Sequence, residues 1–326
     1  MSLSFRTFNR LERGMGSGAA ATEIDQMFGQ AVAPWGNQWY VDTVNGGDTN
    51  PGDSKDSAFA SFTEAFTHID SNDVIWAKGD IREQITAPLG IYGVKIIGAP
   101  SGRPRHSTEG GTVVDGNGVS WREESTAGDA PLLELRQQGW EVHNILMIPQ
   151  SGYSAIKLHR EETATYPDAS HFIASGVKFI SGGTRVGYGI EDYGGAYHIG
   201  VFGCEFYGLE FAYNPTNVSI AAPNAHIWER NTFSGNKHDI VMNALGCQFR
   251  RNFFLTPYDG TTHPNTLNLA YTADAGLATN KNVTFQNTFA DAAADVTIAK
   301  GYKPGTGDIW RNWVTNTAAD IVTVPS

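Results

Sequence analysis

Long apolar runs are missing from this chain: no window approaches eighteen consecutive apolar residues, so nothing reads as a membrane-spanning helix. Positive charge is sparse too. Lys and Arg number 23 against 34 Asp and Glu, a net charge of −11, which argues against nucleic acid as the partner because phosphate recognition is built from clustered cations. Cysteine is nearly absent. Cys204 and Cys247 are separated by about two turns of the repeat described below, or roughly 10 Å at the spacing of stacked strands, beyond disulfide reach. Two buried free thiols and assembly in a reducing compartment are expected. Leucine-rich helical stripes are scarce, and charged residues make up only 17% of the chain.

What is present is a short motif repeated with changes. It appears as Ile227-Trp228-Glu229-Arg230-Asn231-Thr232-Phe233, Gln248-Phe249-Arg250-Arg251-Asn252-Phe253-Phe254, Val283-Thr284-Phe285-Gln286-Asn287-Thr288-Phe289 and Ile309-Trp310-Arg311-Asn312-Trp313-Val314. The Asn residues are 21, 35 and 25 positions apart, a loose period within the solenoid range. Ile199 to Phe206 and Ile173 to Phe179 fit the same template, and Val142 to Met147 fits it less well. About seven rungs result. Alternating β-branched and aromatic residues make each rung a bent ribbon of strands. An Asn between two strands is expected to occupy the left-handed bend and to bond to the Asn stacked above it. The fold class is therefore all-β, a parallel β-helix.

Three segments follow from composition: an arm and linker at 1–35, a cap with the first rungs at 36–110, and the β-helix body with a tail at 111–326. Within the arm, Phe5, Phe8 and Leu11 recur at a spacing of three beside Arg6, Arg10 and Arg13, ahead of a Gly/Ala/Ser linker. Two readings stand for it: a disordered tail, or an attachment arm that orders on a larger assembly. No signal-peptide core is read in residues 1–33. Further on, Ser61-Phe62-Thr63-Glu64 is a capping-box signature for a short helix with Phe62, Phe66 and Ile69 on one side and Phe59 as its staple. A solenoid's first rung needs such a cover.

The run Tyr40-Val41-Asp42, Asn45 to Gly52, Ala58 to Phe62, Asp73-Val74-Ile75 and Ile96-Ile97-Gly98 resembles the opening of right-handed parallel β-helix proteins of the pectate-lyase-like superfamily. Many of these are bacteriophage virion proteins, such as tailspikes and head-decoration spikes. The resemblance covers roughly residues 39–316 and is specific for fold rather than chemistry. It implies a homotrimer, attachment through residues 1–35 to a phage capsid or tail protein, and localisation in the virion after assembly in the host cytoplasm. The expected function is structural, as a capsid decoration or spike. The alternative is a polysaccharide hydrolase or lyase acting on bacterial surface glycans, and a third reading is a non-catalytic glycan-binding adhesin.

No cofactor and no metal site is expected. The loop from Asp48 to Phe59 departs from the EF-hand pattern at Gly52 and Phe59, and His159, His171, His198 and His226 share no metal-ligand spacing. No catalytic residue is assigned; the candidates are Glu191, Asp192, Glu205 and Glu210, carboxylates on neighbouring rungs that either converge in one groove or, as base rates favour, are solvated turn carboxylates. A lyase would need a base together with acidic partners. Lys157, His159 and Arg160 lie on one rung without an obvious acidic cage. The adjacent pair His238-Asp239 reads as a surface turn. Tyr188, Tyr193 and Tyr197, with Tyr207 and Tyr213, suit glycan stacking or a trimer seam.

Overall fold

The computed structural model describes residues 36–99, 119–122, 130–160, 168–182, 187–216, 223–242, 245–255 and 282–288, with strand backbone also at 265–268, 289, 302–303 and 309–314. The arm expected at residues 1–35, including Phe5, Arg6, Phe8, Arg10, Leu11 and Arg13, lies outside the described residues.

All strand pairs named here are parallel, and the chain coils through three faces in turn. On the first face, from Val142 onward, Glu141–His143, Ile173–Ser175, Gly200–Phe202, Ile227–Glu229, Gln248–Arg250 and the starts of Val283–Phe289 and Ile309–Val314 stack in order. These are the seven rungs counted from the repeat. Three further strands, Gln38–Asp42, Val74–Lys78 and Lys95–Gly98, extend the stack upstream and run on into Glu141–His143. The second face carries Leu146–Ile148, Lys178–Ile180, Glu205–Tyr207, Thr232–Ser234 and Phe253–Phe254. The third is a separate eight-stranded sheet that includes Leu133–Leu135, Ser154–His159, Tyr188–Tyr193, Phe211–Thr216 and His238–Val241.

Period-2 alternation sends one set of side chains into the coil, where identical positions meet in columns. On the second face Phe179, Phe206, Phe233 and Phe254 stack ring on ring at 4.7, 5.0 and 4.8 Å. Each ring is buried among its neighbours, so burial and stacking geometry act together.

The bend between the first and second faces corrects one expectation. The residue in the left-handed region is not the repeated Asn but the one before it: Arg230, Arg251 and Gln286 have φ of 58°, 56° and 55°. The Asn that follows each points inward and is fully buried. Among the described motif copies, only Asn144, with φ 54°, turns the chain itself. The stacking half of the expectation stands. Asn231 Nδ2 donates to Asn252 Oδ1 at 3.0 Å, and Asn252 Nδ2 donates to Asn287 Oδ1 at 2.9 Å. A bend needs an outward residue that tolerates positive φ and an inward one that bonds up the stack; these are adjacent positions.

The helix α1, Phe62–His68, lays Phe62 against Trp121 at 4.6 Å and Phe66 against Trp140 at 5.8 Å, covering inward rings of the first rungs. Ser61 caps it by accepting from the Glu64 amide at 3.1 Å. Glu64 instead turns to His68, while Glu83 accepts from the Phe62 and Thr63 amides. Phe59 stacks on His68 at 5.1 Å, at the far end of the helix from the expected staple. In the preceding loop, Ser57 Oγ donates to Asp53 at 2.8 Å, a local bond of the kind such a turn makes, and Asp48 reaches across the loop to accept from the Ala60 and Ser61 amides. Cys204 and Cys247 are both buried and in no disulfide, and they lie at different corners of the coil.

Candidate functional site

Along the third face the register sets Glu134 beside Lys157, Lys157 beside Glu191, and Glu191 beside Asn214, with His159 beside Tyr193 and Tyr193 beside Thr216 in a second outward row. Successive rungs lie roughly 4.8 Å apart. Side chains far apart in sequence therefore touch.

Glu134 is the hub of one cluster. Arg136 approaches both of its oxygens at 3.2 Å, and His159 Nδ1 lies 3.0 Å from Oε1. Burial alone would raise this carboxyl, but the hydrogen bonds from His159 and Arg136 outweigh it and hold it at about 2. An ionised carboxylate only accepts, so Nδ1 carries the proton and, in the neutral ring, Nε2 carries the lone pair. Glu191 is the hub of the other. It accepts from Ser154 at 3.0 Å and from Thr216 at 3.1 Å, with Lys157 Nζ at 3.7 Å. Tyr193 joins the two clusters, its ring 4.5 Å from His159 and 4.9 Å from the Lys157 ammonium.

An aromatic row continues along this face. Tyr188 meets Phe211 edge-on at 5.8 Å, and His238 stacks on Phe211 at 4.3 Å. Burial raises the Tyr188 phenol, and the charges of Glu210 and Glu191 raise it further. Tyr197, at the next corner, lies under the Arg160 guanidinium at 4.9 Å.

The four candidate carboxylates do not form one groove. Glu191 and Glu210 both act on Tyr188 from the third face, and Glu210 pairs with Lys237 at 3.2 Å. Glu205 lies on the second face, paired with Lys178 at 2.9 Å. Asp192 alternates with Glu191 and therefore points into the coil, where it is fully buried. There the Ala196 amide and the Tyr213 hydroxyl donate to it, and burial pushes it up to about 6. Its role is to hold the turn that presents Tyr197. Of the tyrosines, Tyr188 and Tyr193 share the site, Tyr207 is exposed on the second face, and Tyr213 is core.

The acidic partners that the sequence did not reveal for Lys157 and His159 are Glu134 and Glu191. The alternation Leu133-Glu134-Leu135-Arg136 was the available signal for Glu134 and Arg136, two polar residues on the outward side of a buried strand. His238-Asp239 is no surface turn: it opens a third-face strand, with Asp239 buried and bonded to Asn236. Among the described residues no group of three or more His, Cys, Asp or Glu is arranged to hold a metal ion, and no helix is long and apolar enough to cross a membrane.

No protein-family model matches the chain, and no curated protein matches it. Solved structures do. The GH136 lacto-N-biosidase from Eubacterium ramulus aligns with a TM-score of 0.51 and 12% identity, over 92% of this chain and 60% of that one. The fold is a parallel β-helix. Pectate lyase Pel9A aligns at a TM-score of 0.48 with 11% identity, over 87% of this chain and 76% of the other. An alginate lyase from Paenibacillus sp. str. FPU-7 aligns at 0.33 with 12% identity, over 75% and 93%.

Proposed function

We propose that the third face binds a polysaccharide and cleaves it by β-elimination, with His159 as the base. The observation that carries this reading is the cluster of Glu134, Arg136 and the largely buried His159 beneath an outward face that presents Lys157, Tyr193 and Tyr188. The name of the lacto-N-biosidase that shares the fold denotes action on a glycan, which supports glycan as the substrate class.

Elimination needs a base, a cation beside the substrate carboxylate, and a proton for the leaving oxygen. In an acidic sugar, His159 Nε2, which is enclosed in the structure and must be uncovered as the polymer seats, takes the proton from the carbon next to the carboxylate. That electron pair becomes the new carbon–carbon double bond as the bond to the glycosidic oxygen breaks. The leaving oxygen takes a proton from the Lys157 ammonium or the Tyr193 hydroxyl, and Arg136 and Lys157 balance the charge that builds on the carboxylate. Hydrolysis fits less well, because it asks for a protonated carboxylic acid facing the substrate. Glu134 is ionised, and the carboxyls that burial raises, Asp192 and Asp239, face inward.

The test is to incubate the protein with a panel of acidic and neutral polysaccharides, reading the ultraviolet absorbance of unsaturated ends beside total reducing ends. Unsaturated ends are expected from an acidic polymer. His159→Ala should lower kcat by about 100-fold or more, the scale of a lost general base, beyond the modest fall in melting that loss of its buried bond to Glu134 brings. Reducing ends without unsaturation, or an undiminished His159→Ala rate, would sink the assignment.

A further inference from the structure

Outside that face, the bend between the first and second faces carries an unusual charge group. Glu229 is met by three arginines. Arg250 approaches Oε2 with Nε at 2.9 Å and Nη2 at 2.8 Å, Arg251 Nη1 lies 3.4 Å from Oε1, and Arg230 Nε stands at 3.9 Å. One carboxylate against three guanidiniums leaves two positive charges over, on a chain whose net charge is −11. Arg230 and Arg251 are 63% and 49% exposed, whereas Glu229 is 17% exposed. The excess charge thus faces water and the neutralising group lies beneath it.

Backbone conformation adds a second observation. Arg230 and Arg251 take positive φ at positions where the two rungs below have Gly176 and Gly203. A non-glycine residue there is strained by about 1 kcal/mol, and a Cβ built on Gly203 meets nothing within 4 Å. The corner thus carries two partly exposed guanidiniums, Arg251 Nε also donating to Gln286 Oε1 at 3.1 Å, at bend positions where other rungs have glycine or the neutral Asn144 and Gln286. A single arginine would satisfy Glu229. The guanidinium fork matches the paired oxygens of carboxylate and sulfate.

We propose that Arg230, Arg250 and Arg251 form an oxyanion site that holds the carboxylate or sulfate groups of an anionic polysaccharide, with Glu229 setting the guanidinium orientations. The choice of polymer rests on the reading of the third face, but the binding does not require cleavage.

The experiment is affinity electrophoresis and calorimetry of the full chain with polygalacturonate, dextran sulfate, neutral dextran and single-stranded DNA. Polygalacturonate, dextran sulfate or both should bind, with an affinity that falls as salt rises; polygalacturonate alone identifies carboxylate as the group held, and dextran sulfate alone identifies sulfate. Arg230→Ala with Arg251→Ala should weaken binding about tenfold or more, the scale of a lost charge-assisted contact. Arg82→Ala with Lys55→Ala removes the same charge elsewhere and should leave binding unchanged. His159→Ala should lower cleavage about 100-fold or more and keep the binding. If the parent cleaves nothing yet loses binding with the arginines, the site stands and the elimination reading falls. Equal weakening in the Arg82/Lys55 control, undiminished binding by the double arginine variant, or DNA held as tightly as the polysaccharides would overturn the proposal.

Discussion

At the bend between the first and second faces, the lower rungs set Gly176 and Gly203 in the left-handed region and turn Val177 and Cys204 inward, whereas the upper rungs set Arg230, Arg251 and Gln286 there and turn in Asn231, Asn252 and Asn287. The backbone path is the same in both. In the lower half the inward residue is apolar or nearly so and needs no partner. In the upper half each amide both accepts and donates: Asn231, Asn252 and Asn287 give their Nδ2 protons to the carbonyls of Val201, Trp228 and Phe249, and accept from the rung below. The top of the apolar column closes onto the ladder through Cys204 N and Asn231 Oδ1 at 2.9 Å. The rung geometry, not the residue, fixes the bend. Residue chemistry decides how much a local change costs and what faces water.

The two halves should therefore fail differently. Asn252→Leu removes the acceptor of two Asn231 groups and the donor to the Trp228 carbonyl and to Asn287 Oδ1, so it should cost about 4 kcal/mol, several buried hydrogen-bonding groups being left unmet. Val177→Ala in the lower half should cost about 2 kcal/mol, as loss of buried methyl groups does. Urea midpoints measure both, and equal losses would erase the distinction.

A further contrast separates the amide ladder from the corner between the second and third faces, where Asn236 bonds to the Asp239 carboxyl at 2.8 Å. Burial pushes Asp239 up to about 8. The unfolded chain releases this proton near pH ~4, and the folded chain holds it to about 8, so the folded state binds more protons across that window. Stability should fall as pH rises through it, by at most about 1.4 kcal/mol per pH unit for one group. Asp239→Asn should flatten the decline while keeping the acceptor for Asn236, and a pH series of urea melts would reveal it. The Asn231, Asn252 and Asn287 ladder has no proton to lose and should contribute no slope.

The smallest effect should come from Arg251→Gly, which gives an upper rung the lower rung's bend. Relief of the positive φ exceeds the added chain entropy, and the half-exposed pair with Glu229 contributes little, so a gain of about 0.5 kcal/mol is expected. Thermal melting checks it. A clear loss would mean that Arg251 supports the rung as well as facing the solvent.

Much of the coil was legible in the sequence. Alternation in Ile227 to Phe233 and its copies marks strands, and the repeated Asn marks a position that bonds to its own kind one rung away. The identity of the turning residue was not legible, because Arg251 at positive φ has no local signature; only the neighbouring glycines at the same place in other rungs give it away. The candidate site was visible in pieces. Lys157 and His159 belong to one strand and could be grouped, but Glu134 and Glu191 could not be matched to them, since the intervals from 134 to 157 and from 157 to 191 are 23 and 34 residues. Loops of unequal length break the period on which such matching depends.

By itself the sequence determined the strands, the bends and the parallel coil, because these follow from alternation and from short-range conformational preference. Tertiary structure alone decided that Asp192 lies inside while Glu191 lies outside beside Lys157, that Glu205 is carried to another face, and that Glu229 gathers three arginines. Those outcomes depend on register between rungs, and register is set by the packing of whole columns of side chains rather than by any one segment.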